Sequence, residues 1–365
     1  LFQSPLTLLI LQSAALASGA WPLFLIAKKL LDEKSALVIS SAYLVYPALN
    51  YVNLFEFHVI AFSVPILFWM FFFYLKRNWL VFLLFMGAAL SVREDVTIPV
   101  AAFGVFAFLE MIFHPEFRKR SEIKWAVIPI FAAVIWFFIC TRYLQPHFRL
   151  PELKLAENNT RMLGFYSWLK GPLPESLTNL FLHSQLGILR TAKLSYLLHL
   201  SFPLGFLSIF YPPSLLMLLV CLLEGLLSSR FTHFSIHYQY SSIIIPAVFI
   251  SAIYGVRNLI SRKLFSGKSG SLLAVIVICS IMGAYLWGPL PEIPRKIGAW
   301  KMTEEDEIRD ELIRAIPPLD PVIATFEFTP RLSMRPFLFY FYHVYTSSRR
   351  PRFIPNLKAA QNAAR

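Results

Sequence analysis

The chain has 365 residues, 57% of them hydrophobic and only 15% charged, with 35 phenylalanines and a mean hydropathy of +0.59. A soluble domain of this size needs far more polar surface, so the composition points to a polytopic membrane protein. The net charge of +13 does not indicate nucleic-acid binding, because the basic residues sit in short clusters between apolar runs, as membrane topology signals do.

The chain begins at Leu1 and enters its first apolar run within a few residues, with no charged segment or small-residue cleavage site before it. No signal peptide is read there, and the N-terminus is expected to be truncated. A bilayer core needs roughly 20 apolar residues per helix, which gives about ten spans. They fall near 6–27, 36–54, 58–75, 79–92, 95–113, 124–144, 195–211, 213–229, 239–256 and 271–289. Tyr211-Pro212-Pro213 forces the turn between the seventh and eighth. Cys140, Cys221 and Cys279 each lie inside an apolar run, so they are read as packing residues and not as a disulfide framework.

Loop charges set the orientation. Lys28, Lys29 and Lys34 follow the first span, Lys76 and Arg77 the third, Arg118, Lys119, Arg120 and Lys124 the fifth, and Arg257, Arg262, Lys263 and Lys268 the ninth. If the spans alternate, all four loops share one side, which the positive-inside rule makes cytoplasmic. The loop near 145–193 and everything after about residue 290 then lie outside. The chain is thus expected to be an all-α polytopic helical bundle over residues 1–290, multi-pass in the inner (cytoplasmic) membrane. An external segment, 291–365, follows. Within it "TEEDEIRDELIRAI" reads as a short amphipathic helix and "PVIATFEF" as a strand, while the charged end "SSRRPRFIPNLKAAQNAAR" reads as disordered.

The outer mouths gather the unusual residues. "NLFEFHVIAF" places Glu56 and His58 there, "SVRED" supplies Arg93, Glu94 and Asp95, and "SSRFTHFSIHYQY" supplies Arg230, His233, His237, Tyr238 and Tyr240. Glu224 lies one to two turns below, on the eighth span. Ionisable groups at membrane depth are costly and tend to face a cavity and pair with one another. Each cluster also has a structural reading: Arg93 with a carboxylate as an interfacial ion pair, Glu56 and His58 as a loop at headgroup level. Isolated Glu110 and His199 read as packing or interface residues. His233 and His237 are four apart, a helical metal-pair spacing, but no acidic or cysteine partner stands at set spacing, so no metal site is assigned. Walker, GxGxxG, GxSxG and HExxH motifs are absent from the sequence, which argues against an ATPase, a dinucleotide enzyme, a serine hydrolase and a zincin. The functional reading is an outward polar cavity for an anionic, partly lipidic molecule: arginine or histidine for a phosphate or pyrophosphate, a carboxylate for a hydroxyl or as a general base.

"FEFHVIAFSVPILFW", "SVREDVTIPVAAFGV", "YLLHLSFPLGFLSIFYPPSLLMLLVCLLEGLLS" and "HYQYSSIIIPAVFISAIYGV" occur in one order and spacing. Over nearly the whole chain they resemble the predicted membrane proteins grouped as domain of unknown function 2079, which look like members of the GT-C glycosyltransferase superfamily. "IPPLDPVIATFEFTPRLSMR" resembles the start of that family's external C-terminal region, which implies that 291–365 is the remnant of an α/β region. The resemblance implies transfer of a sugar from a polyprenyl-phosphate donor to an acceptor on the outer face, with inversion. Glu56, His58, Arg93, Glu94, Asp95, His237 and Tyr238 carry over by motif, with Glu56, His58, Glu94 and Asp95 as the catalytic candidates. Glu224, Arg230 and His233 join the substrate- and phosphate-binding set from topology. Tyr166, Trp168 and Tyr238 would stack on the sugar. No nucleotide cofactor is expected, and divalent-metal dependence stays open, as it does across the superfamily. The aspartate loop that follows the first span in such enzymes would lie upstream of Leu1. A transporter or lipid flippase is the competing class, and a non-catalytic membrane scaffold the third.

Overall fold

The computed structural model describes residues 4–114, 122–148, 165–166, 178, 190–262, 269–299 and 301–341. The chain divides into two compact units, one of Gln12–Gln145 with Thr160–Ile293, the other of Leu1–Leu11, Pro146–Asn159 and Pro294–Arg365. Much of the expected external loop, Trp168 with it, and the charged end after residue 341 lie outside the described residues.

The first half carries α1 (Pro5–Ser18), α2 (Ala20–Leu30), α3 (Glu33–Leu44), α4 (Pro47–Leu54), α5 (Ser63–Leu75), α6 (Trp79–Val92), α7 (Thr97–Phe113) and α8 (Lys124–Ile139). The second half continues with α9 (Thr191–Ser201), α10 (Pro212–Leu227), α11 (Ile245–Ser261) and α12 (Ser269–Trp287). Local chemistry fixes several starts. The Asp32 side chain accepts from the Ser35 N–H, and the Asn78 side chain from the Val81 N–H, each satisfying a first-turn donor. Pro47, Pro212 and Pro246 open α4, α10 and α11, where a missing N–H costs nothing.

Among the described residues, four helices are long and apolar enough to cross a bilayer: Pro5–Leu30, Glu94–Phe113, Lys124–Phe148 and Gly270–Trp287. A fifth crossing counts if α3 and α4, bent by 43° at the break before Pro47, form one span. Val59–Leu75, Trp79–Val92, Pro212–Leu227 and Ile245–Ser261 are apolar but shorter. At 1.5 Å per residue a 14-residue helix reaches only about 21 Å of the roughly 30 Å hydrocarbon core. The helical membrane class therefore holds, whereas helix length among the described residues does not reach ten crossings. The run at 195–211 departs furthest from a plain span. It is α9 followed by two short 3-10 turns, Phe202–Leu204 and Leu207–Ile209, with Gly205 and Phe206 both left-handed at φ 58° and 56° between them. Pro203 supplies the break, since it cannot donate to the helix ladder.

The core between the helices is aromatic. Tyr43 and Tyr46 both meet Phe249 edge-on, at 5.5 and 5.0 Å between ring centres, and their hydroxyls donate to the carbonyls of Leu16 and Leu200, each at 2.6 Å. Phe71, Phe103, Phe106 and Tyr254 form a second buried group. Edge-to-face pairs of this kind add about 0.5–1.5 kcal/mol each beyond area burial.

In the unit that contains Pro294–Arg365, "TEEDEIRDELIRAI" forms α13 (Glu304–Ala315), opened by a reciprocal capping box between Thr303 and Asp306. "PVIATFEF" contributes β1 (Val322–Ala324), which pairs in parallel with β2 (Leu338–Tyr340), Ile323 opposite Phe339.

Candidate functional site

Arg93, Glu94 and Asp95 sit at the joint between α6 and α7. Arg93 is extended and caps the end of α6, and residues 94–96 make one 3-10 turn that leads into α7. That turn carries the Asp95 side chain inward, to 2% exposure. Arg93 Nη2 lies 2.6 Å from Asp95 Oδ2, and the guanidinium sits over the Tyr240 ring at 5.4 Å. Tyr240 in turn packs on His233 at 4.1 Å, and Phe165 meets His233 from another side at 4.9 Å. Arg230, exposed at the rim, lies over Phe165 at 4.1 Å. Glu224, near the end of α10, is also buried, and the Asp95, Arg93 and Glu94 charges act on it. The Tyr166 hydroxyl reaches its backbone carbonyl at 3.5 Å.

This cluster is under-satisfied. Among the described residues, Asp95 Oδ1, Glu224 Oε2 and both ring nitrogens of His233 are buried and have no hydrogen-bond partner. Buried polar atoms are nearly always paired, and each orphan requires a cause. Here one arginine faces two buried carboxylates, so the cluster has acceptor capacity left over for a hydroxyl or a proton. Burial, with Arg230 and Arg93 adding to it, lowers the His233 pKa to about 4, so near neutral pH its imidazole is uncharged and offers one donor and one acceptor.

The match that places the chain covers residues 1–358 and carries the description predicted membrane protein (DUF2079). The chain belongs to the DUF2079 family. No curated protein and no solved structure matches it.

The remaining residues expected at the site in this DUF2079 member form an adjoining group. His58 stacks on Phe55 at 5.4 Å, Phe55 meets Tyr238 at 5.3 Å, and Tyr51 meets His237 at 4.2 Å. Glu56 is exposed, with a carboxylate oxygen 4.0 Å from His58 Nε2. The Glu56 and Arg93 charges both act on His58. "FEFH" and "HY" are therefore brought together, and His58 lies within electrostatic reach of "RED". His233 and His237 point to different neighbours, His233 to Tyr240 and Phe165, His237 to Tyr51, so their spacing of four does not make a metal pair. Among the described residues no three histidine, cysteine, aspartate or glutamate side chains stand together as metal ligands do. Glu94 does not pair with Arg93, and its backbone carbonyl accepts from Thr97 Oγ1 at 2.6 Å.

Several participants have little signal in the sequence. Phe165 is one apolar residue in a long loop. Gln12 sits within an apolar run, yet its Oε1 accepts from the His58 N–H at 2.8 Å and its Nε2 donates to the Val52 carbonyl at 3.1 Å. A lone amide in an apolar helix was the available hint. Gly225, directly after Glu224, lets the His233 carbonyl approach so closely that a Cβ there would lie 2.6 Å from it.

The other end of the same helices is filled differently. Glu110, near the end of α7, is an acceptor for the Tyr211 hydroxyl, and His114 Nε2 lies 3.0 Å from that hydroxyl. Arg77 pairs with Glu122 at 2.9 Å. Glu110 thus belongs to a hydrogen-bonded network and is more than a packing residue.

Proposed function

We propose that this DUF2079 protein transfers a sugar from a polyprenyl-phosphate donor to a hydroxyl acceptor at the membrane face that bears "RED", "FEFH" and "HY". In this reading that face is the outer side of the cytoplasmic membrane, the basic loops lie inside, and the shorter apolar helices complete about ten crossings. The C-terminal segment is then outside. The observation that supports it most is the pair of buried carboxylates, Asp95 and Glu224, with free oxygens beside Arg93. Ionisable groups at such depth mark substrate pathways and sites.

Arg93, held by Asp95, and Arg230 at the rim take the lipid phosphate, for which the planar guanidinium fork is suited. The acceptor oxygen attacks the anomeric carbon as the bond from that carbon to the phosphate oxygen breaks, and the electron pair leaves with the polyprenyl phosphate. The acceptor proton passes to the free oxygen of Glu224, and the sugar inverts. Tyr238 and Tyr240 offer aromatic faces for the ring. In the test, full-length protein in membranes is given a polyprenyl-phosphate sugar, and Arg93→Ala and Glu224→Gln are compared with wild type at matched insertion. Loss of a transition-state contact of this type costs about 2.7–4 kcal/mol, a rate loss of about 10²–10³. Wild-type rates in both variants would remove the assignment. Passage of the lipid-linked sugar across the membrane with no transfer would favour the transporter class instead.

A further inference from the structure

Beside the carboxylate cluster lies a separate cavity of about 150 Å³ that no step above uses. Helix α9 contributes Ser195, Tyr196 and His199, and the segment between α10 and α11 contributes Ser235 and His237. Phe231 and Phe234 supply aromatic surface. The 230–238 segment therefore divides its two histidines, His233 going to the carboxylate cluster and His237 to this cavity. Tyr196 marks the boundary. It lines the cavity, lies within electrostatic reach of Glu224, and has its Cε1 3.6 Å from where a Cβ at Gly225 would be.

Size and chemistry narrow the occupant. A cavity of about 150 Å³ takes one six-membered ring, or about five waters at roughly 30 Å³ each. Among the described residues no carboxylate, lysine or arginine lines it. His199 Nε2 is 3.4 Å from Ser195 Oγ, and His237 is exposed with its ring against Tyr51 at 4.2 Å. Partial burial lowers the His237 pKa, which favours the neutral ring. The cavity thus presents uncharged donors and acceptors on one part of its wall and phenylalanine side chains on another. Lys193 and Arg190 lie over the Phe234 ring, at 5.2 and 5.8 Å, but neither lines the cavity. A sugar ring finds partners for its hydroxyls and a flat surface for its C–H face.

We infer that this cavity, formed by α9 and the 231–237 segment, binds one uncharged pyranose ring, the acceptor's own sugar, beside Glu224. The word acceptor rests on the transferase reading, whereas the pyranose assignment rests only on the cavity.

The experiment follows carbethoxylation of His199 and His237 by diethyl pyrocarbonate, read by mass spectrometry on the purified full-length protein in detergent. Methyl pyranosides of the common hexoses and N-acetylhexosamines are added in turn at millimolar concentration, with inorganic phosphate and a linear polyol as comparisons. At least one pyranoside is expected to slow modification about fivefold, as four-fifths occupancy requires, while phosphate and polyol do not. Ser195→Leu, which fills the cavity, should abolish that protection, although the wild-type arm decides by itself if the variant fails to fold. Equal rates with every pyranoside, or equal protection by phosphate, would overturn the inference. Polyprenyl-phosphate transfer without pyranoside protection would sink the cavity assignment and leave the transferase standing. Protection combined with unchanged transfer in Arg93→Ala and Glu224→Gln would do the reverse.

Discussion

Arg93 and Asp95 are unequal partners. Asp95 is 2% exposed, while about 29% of the Arg93 side chain reaches solvent. Removing the arginine leaves a carboxylate buried and unpaired, which costs about 3–5 kcal/mol, whereas removing the carboxylate leaves a guanidinium that can turn to water. Arg93→Ala is therefore expected to lower the unfolding midpoint in detergent well beyond Asp95→Asn, for which a loss of about 1 kcal/mol is the scale of one ordinary hydrogen bond. The opposite order, followed by tryptophan fluorescence, would show that Asp95 does not depend on Arg93. The three charges of "RED" were legible as a cluster in the sequence, because so few charges interrupt these apolar runs. Which carboxylate pairs was not legible. It depends on a single 3-10 turn at 94–96 that rotates Asp95 inward and leaves Glu94 half-buried.

At the level of elements, glycines record where backbones touch. A Cβ at Gly255 on α11 would lie 1.8 Å from the Leu207 carbonyl oxygen, and one at Gly225 would lie 2.6 Å from that of His233. In both cases the obstacle is backbone, which cannot rotate away. At Gly87 on α6 a Cβ meets nothing within 4 Å. Gly87→Ala should therefore stabilise α6 by about 0.5–1 kcal/mol. Gly255→Ala should destabilise by at least the 1–3 kcal/mol typical of overpacking, and Gly225→Ala by an amount between the two. Equal midpoints for all three in a thermal melt would refute the close approaches. The helical runs themselves were legible from apolar length, and α13 from its capping residues. The break at 202–210 was hidden, because "FPLGFLSIF" is as apolar as a span and only Pro203 and Gly205 hint at the turns. Cavity-forming residues such as Tyr196 and Ser195 were equally hidden, since an apolar helix does not reveal which face it shows to a gap.

For the whole molecule, contacts sort the loops into two sets. "RED" meets the 230–240 segment through Tyr240, and that segment meets residues 51–58 through His237 and Tyr238. At the opposite ends of those helices Arg77 meets Glu122, and Lys124 lies over Trp79 at 5.0 Å. These groupings follow the alternation inferred from loop charges, a pattern legible because topology signals recur in loop after loop. The side each set faces is an expectation of the positive-inside rule. It is tested by labelling Glu307→Cys, on the exposed face of α13, in a protein lacking Cys140, Cys221 and Cys279. A membrane-impermeant maleimide should react in intact cells. Reaction only after permeabilisation would reverse the orientation and with it the side of the proposed site.

The left-handed pair Gly205–Phe206 bears on how the protein is made. Backbone that leaves the helix ladder is tolerated at membrane depth only where protein covers it. Around 202–210 that cover comes late in the sequence: the side chains of Asn258 and Ser280 donate to the carbonyls of Phe210 and Pro203, and Ser208 donates to the Val248 carbonyl. Every one of those partners lies on α11 or α12. While the ribosome has delivered only as far as α10, the segment has no such partners, and lipid offers none in their place. Its native turns are therefore expected to form only once both later helices are in place, so this piece of chain takes its shape after segments synthesised well behind it.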